Sequence, residues 1–130
     1  IFQNLTNLIK IDLSSIKNLN FNDNLTSFEK SINLESINLS NLKLNSSILS
    51  KYFNFSLFAN LKHLDLSSNR IEHLPESLVD NKKLTYLNLS HNCFKKFNTY
   101  IFNLLDDLEL DLTQNFIEKL EFSINEDIKF

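Results

Sequence analysis

The sequence predicts an α/β solenoid: short parallel strands stack into one sheet, and irregular or briefly helical segments return behind it. Two observations carry that prediction. One phrase is written three times, as L-K-H-L-D-L-S-S-N-R-I over Leu61–Ile71, L-T-Y-L-N-L-S-H-N-C-F over Leu84–Phe94 and D-L-E-L-D-L-T-Q-N-F-I over Asp107–Ile117. Within it Asn69, Asn92 and Asn115 recur 23 residues apart, and a fixed period in the twenties marks stacked supersecondary units.

The alternation inside the phrase gives each unit its two faces. Leu64 and Leu66, two residues apart, point to one side of a short strand, and His63, Asp65 and Ser67 point to the other. One repeat cannot bury its apolar side alone, so neighbours must stack and share a core. Each leucine fully buried in that way contributes about 1.5–3 kcal/mol.

The phrase resembles the consensus of the leucine-rich repeat family, L-x-x-L-x-L-x-x-N-x-L. The resemblance implies a horseshoe arc with a concave parallel sheet and an irregular or short-helical convex side. It also implies a ladder of structural asparagines, Asn69, Asn92 and Asn115, whose side chains bond backbone groups left unpaired where the chain turns inward. Losing one such side chain should cost about 1–3 kcal/mol per group left unsatisfied. Asn81, in a return segment, is not expected to share that duty.

The register follows from N-L-x-x-[IL]-[DN]-L-S, which appears at Asn7–Ser14, Asn33–Ser40 and Asn60–Ser67. Residues 1–130 then form a single domain of about five repeats starting near 8, 34, 61, 84 and 107, with strands near 10–14, 36–40, 63–67, 86–90 and 109–113. Ile16 and Leu42 occupy the ladder position in the first two repeats. A rival register starting at Ile16 and Leu39 would restore Asn24 and Ser47 there. In the fifth repeat Asp107 stands at an apolar position beside Leu105 and Leu108, which predicts a slipped register or a bulge. The pattern is already under way at Ile1, and both ends are expected to be truncated from a longer solenoid.

The longer first two repeats place their extra residues on the convex side, where connections tolerate insertion. Between Ser46 and Phe58 the apolar residues fit a helical face that Ser46 or Ser47 could cap. Tyr52, Phe53, Phe55 and Phe58 are expected to pack beneath the convex connections.

Composition narrows the function. The net charge is −3 and the pI near 5.6, so there is no basic footprint for nucleic acid. No apolar run approaches the ~18 residues of a membrane span. Cys93 is the only cysteine, which leaves no intrachain disulfide. Glycine is absent and asparagine abundant, so asparagine is expected to serve the left-handed turns. Six asparagines satisfy the glycosylation rule: Asn4, Asn24, Asn38, Asn45, Asn54 and Asn88. They are read as products of composition, since glycans on Asn38 and Asn88 would obstruct the concave face.

Outward strand positions form three columns. The centre runs Asp12, Asn38, Asp65, Asn88, Asp111; one side runs Lys10, Ser36, His63, Tyr86, Glu109; the other runs Ser14, Ser40, Ser67, Ser90, Thr113. Asp65 and Asp111 should sit roughly 10 Å apart, two strand spacings, which is too far to share a proton or a small ion directly. His63, His73 and His91 do not converge in such a fold, and no glycine-rich phosphate loop or nucleophile motif is present. The expectation is a non-catalytic protein-interaction module without a cofactor or metal. Its partner, one with a basic patch, would dock on His63, Asp65, Tyr86, Asn88, Glu109 and Asp111. The alternative is a repeat segment of a larger signalling enzyme (a kinase, cyclase or ubiquitin ligase) or of a secreted or surface receptor.

Overall fold

A computed structural model describes residues 5–21, 30–98 and 107–121. Five strands form one parallel sheet in the spatial order in which the chain makes them: β1 (Lys10–Asp12), β2 (Ser36–Asn38), β3 (His63–Asp65), β4 (Tyr86–Asn88) and β6 (Glu109–Asp111). Their first residues are separated by 26, 27, 23 and 23 positions. The rival register is thereby overturned.

Pairing is in register across the whole sheet. Lys10, Ser36, His63, Tyr86 and Glu109 stand opposite one another, as do Asp12, Asn38, Asp65, Asn88 and Asp111. The ladder also runs past the strand ends, with Leu13, Leu39, Leu66 and Leu89 N–H donating to the next repeat at 2.8–2.9 Å. Because Glu109 and Asp111 pair directly with Tyr86 and Asn88, the slip or bulge expected in the fifth repeat does not occur at β6. Asp107 is tolerated because it lies on an exposed turn ahead of the strand, outside the buried positions.

Behind the sheet the core follows the alternation. Leu64, Leu66, Leu87 and Leu89 are fully buried, together with Leu34, Leu39, Leu44 and Leu61. The convex side differs in each repeat. The second returns through α1 (Ser46–Tyr52) and a 3-10 turn over Phe55–Leu57. The third returns through Pro75 and a 3-10 turn over Glu76–Asp80. β5 (Lys96–Asn98) and β7 (Lys119–Glu121) pair parallel to one another, a second small sheet that the sequence analysis did not anticipate.

The helix is capped differently from expectation. Asn45, not Ser46 or Ser47, is the N-cap, and its Oδ1 accepts from the Ile48 N–H at 2.8 Å. Ser46 is instead buried, and its Oγ accepts from the Glu72 and His73 N–H groups of the next repeat at 2.9 and 3.1 Å. The aromatic residues pack as core: Phe53, Phe55 and Phe58 are buried, and their rings stand 6.1 and 6.4 Å apart around Phe55.

Every repeat also turns inward through a left-handed residue just past its strand. Ser15, Asn41, Ser68, His91 and Gln114 have φ between 55° and 58°. Asn18 and Lys43 are left-handed as well, at 60° and 58°, so asparagine supplies two of the seven left-handed residues among those described and is not the general substitute for glycine here. The conformation costs roughly 1–2 kcal/mol at a residue with a Cβ. It persists past the strands because the N–H at each of Ser15, Asn41, Ser68 and His91 donates to the next repeat at 2.9–3.0 Å.

Candidate functional site: the concave sheet and its asparagine ladder

The ladder is built from side-chain amides that reach into the preceding repeat. Asn69 Nδ2 donates to the Leu39, Leu66 and Ser67 carbonyls at 2.9–3.1 Å, and its Oδ1 accepts from the Leu42 and Leu44 N–H groups at 3.1 and 2.9 Å. Asn92 repeats the pattern, donating to Leu66, Leu89 and Ser90 and accepting from Ile71 N–H at 3.0 Å. Asn115 donates to Leu89, Leu112 and Thr113 and accepts from Phe94 N–H at 3.1 Å. Each therefore binds two consecutive repeats together and fixes the distance between their strands. At the ladder position of the first two repeats, Leu42 is buried and Ile16 is 43% exposed.

Asn81 corrects the sequence reading. It is 2% exposed, and its Nδ2 donates to the Phe55 and Phe58 carbonyls at 3.0 and 2.9 Å. It thus joins the second and third repeats from the convex side. Its Oδ1 is buried without a hydrogen-bond partner. No period announces it, since Phe58 and Leu104 stand 23 residues on either side.

The centre column of the concave face has a structural duty as well. Oδ1 of Asp12, Asn38, Asp65, Asn88 and Asp111 accepts from the N–H two residues on, at Ser14, Ser40, Ser67, Ser90 and Thr113, at 2.9–3.0 Å. Such Asx turns close each strand and hold the side chain in one orientation. The sequence signal was there: all five positions are Asp or Asn, with Ser or Thr two residues later. Asn38 and Asn88, both glycosylation-rule positions, belong to this set, while Asn45 caps α1 and Asn54 Oδ1 accepts from Ser56 Oγ. Asn4, Asn24 and Leu105 lie outside the described residues.

The expected contact residues share one face. His63 and Glu109 are exposed, and Asp65, Tyr86, Asn88 and Asp111 are half-buried. The His63 and Tyr86 rings stand 6.1 Å apart, tilted by 36°. Asn38 Nδ2 donates to Asp12 Oδ2 at 3.3 Å across the β1–β2 pair. On the flank, Lys62 Nζ pairs with Glu35 Oε2 at 2.9 Å, both side chains more than 40% exposed. Such a pair contributes little.

Hydrogen bonding favours the ionised form of two acids. The Ser14 hydroxyl and N–H, with smaller help from Asn38 and Lys10, hold the Asp12 carboxyl below its ordinary 3.8. The Thr113 N–H and hydroxyl, with His91 nearby, do the same for Asp111. Asp12 is exposed and Asp111 half-buried. A carboxylate with a lowered folded-state pKa favours the fold above the unfolded value and ceases to do so as pH falls through the folded value. Stability should therefore decline below about pH 4 through these two sites. The double variant Asp12→Asn, Asp111→Asn keeps both Asx acceptors but cannot titrate. Its urea midpoint should fall less steeply between about pH 5 and 3 than the parent's; an identical acid limb would show that other groups control it.

The remaining candidates do not converge. His63 is on the concave face, His73 in the convex return and His91 in the turn after β4. Cys93 is a free, half-buried thiol. Among the described residues no three His, Cys, Asp or Glu side chains could hold a metal ion, and no helix is long and apolar enough to cross a membrane.

Known proteins agree with this architecture. An internalin from Listeria monocytogenes superposes with a TM-score of 0.55 at 19% identity, a likeness of fold, covering 87% of this chain. The chain spans about a third of that internalin, 34% of its length. No curated protein sequence matches. The leucine-rich repeat profile matches residues 37–94 and 59–117, together more than half of the chain. Repeats of this kind generally serve protein–protein interaction. With the in-register sheet, the asparagine ladder and the profile match in agreement, the chain belongs to the leucine-rich repeat family.

Proposed function

We infer that this domain is a non-catalytic interaction module that presents its concave sheet to a protein partner with a basic patch. The single observation behind the reading is the register. Five paired strands hold His63, Asp65, Tyr86, Asn88, Glu109 and Asp111 on one solvent-facing surface. The ladder fixes the spacing of the strands and the Asx turns hold Asp65, Asn88 and Asp111 before any partner arrives, so less ordering entropy is lost on docking. Acids outnumber cations along the face, with Asp12, Asp65, Glu109 and Asp111 against Lys10 and the histidine. Charge complementarity favours a basic partner, and association should slow as salt rises.

Tyr86 is the expected anchor, because tyrosine is enriched among the residues that dominate binding energy. A partner captured on the domain should lose at least about 1 kcal/mol of affinity to Tyr86→Ala, measured by calorimetry. Glu76→Ala, on the convex 3-10 turn, should change affinity little. A partner that ignores the tyrosine and responds to Glu76 would move the docking surface to the convex side.

A further inference from the structure

The concave face is not evenly decorated. Across β1 to β4 it sinks into a hollow of about 330 Å³ whose walls include Lys10, Asp12, His63, Asp65 and Tyr86, with Ile37 among its lining. The His63 and Tyr86 rings, paired at 6.1 Å, form one wall. Asp65 lies two residues beyond His63 on the same face of β3, so its carboxylate borders that wall. The bond from Ser67 N–H engages Asp65 Oδ1 at 2.9 Å and leaves Oδ2 outside the Asx turn. At the far end Lys10 and Asp12 attract one another, and Asp12 Oδ2 accepts from Asn38. Asp65 is therefore the acid in this hollow with an oxygen to offer, and it offers it beside two rings.

One side-chain chemistry suits that combination. A guanidinium is a flat, weakly hydrated cation that stacks on aromatic faces and donates in a fork to a carboxylate. An ammonium offers only a point charge and keeps its water more tightly. The volume holds one such side chain. We propose that the hollow is an arginine-reading subsite: a partner's arginine lays its guanidinium against Tyr86 and His63 and donates to Asp65. The proposal rests on the concave docking surface described above and names what that surface reads.

The column itself supplies the control. Asn38 and Asn88 occupy the same position as Asp65 in neighbouring strands and make the same Asx bond. Asp65→Asn therefore removes the charge and keeps the acceptor for Ser67. N-acetylarginine amide would be titrated into the isotope-labelled chain, with the citrulline compound as its neutral isostere. The backbone amide signals of His63, Asp65 and Tyr86 should shift and saturate. Binding should weaken about fivefold for citrulline, and by about as much for Asp65→Asn. Arginine and citrulline binding alike, or shifts that spread over the exposed acids and survive Asp65→Asn, would overturn the subsite. The two readings fail separately. No arginine binding with a Tyr86-dependent partner removes the subsite alone. Arginine binding with a partner indifferent to Tyr86 keeps the subsite and removes the concave docking mode.

Discussion

Asn92→Ala should destabilise the fold by about 2–4 kcal/mol, one of the largest effects available to a single polar substitution here. The side chain is 3% exposed and serves four backbone groups: the Leu66, Leu89 and Ser90 carbonyls and the Ile71 N–H. Truncation leaves those groups without the amide, in a space that alanine does not fill, and each unsatisfied buried group costs about 1–3 kcal/mol. The effect crosses a repeat boundary, because Leu66 and Ile71 belong to the third repeat and Leu89 and Ser90 to the fourth. Asn81→Ala should cost less, about 1–2 kcal/mol, since it serves two carbonyls and its own buried oxygen already lacks a partner. Exposed Asn33 supplies the baseline near zero. Urea midpoints that place Asn92→Ala level with Asn33→Ala would remove the ladder from the account of stability.

The contrast between those asparagines shows what can be read from sequence and what cannot. Asn92 has mates 23 residues away on both sides, so its role is written as a period. Asn81 does equivalent work once, and its bonds depend on where Phe55 and Phe58 end the return of the preceding repeat. The strand positions are legible for the same reason as the ladder: alternation and period agree, and they give β6 its place even where Asp107 breaks the pattern. The convex side is legible only in part: apolar spacing announces the helix and the buried aromatics of the second repeat, but the other return segments differ in length and composition and share no period. β5 and β7 are an intermediate case. Lys96 and Lys119 stand 23 residues apart, as do Phe97 and Leu120, a repeat short enough to escape notice. At the candidate site the columns are legible, but the role of the centre column is only half so. Its five acid or amide side chains read as a docking surface, whereas each also closes a turn through Oδ1. Contact between the His63 and Tyr86 rings needs the register, not the sequence alone.

Phe55→Ala is expected to be the most damaging core substitution, costing about 3–5 kcal/mol. The ring is fully buried between Phe53, stacked at 6.1 Å and 16°, and Phe58, edge-on at 6.4 Å and 70°. The same residue ties two repeats together through its backbone. Its N–H donates to Ser77 Oγ and its carbonyl accepts from Asn81 Nδ2. A void there would loosen the 3-10 turn that presents both groups. Domains of this size are stable by only about 5–15 kcal/mol, so the variant could lose the folded state at ordinary temperature. Phe55→Leu therefore accompanies it: a smaller apolar side chain retains most of the buried area and should cost no more than about 1–2 kcal/mol. Tyr52→Ala sets the comparison from the edge of the same cluster. Its ring is half-buried, faces Phe21 at 6.1 Å and carries Lys51 Nζ 4.8 Å above its centre, so its removal should cost about 1 kcal/mol. Denaturation midpoints should then fall in the order Tyr52→Ala, Phe55→Leu, Phe55→Ala. If Phe55→Ala unfolded no more readily than Tyr52→Ala, the cluster could not be the packed wedge between the second and third repeats.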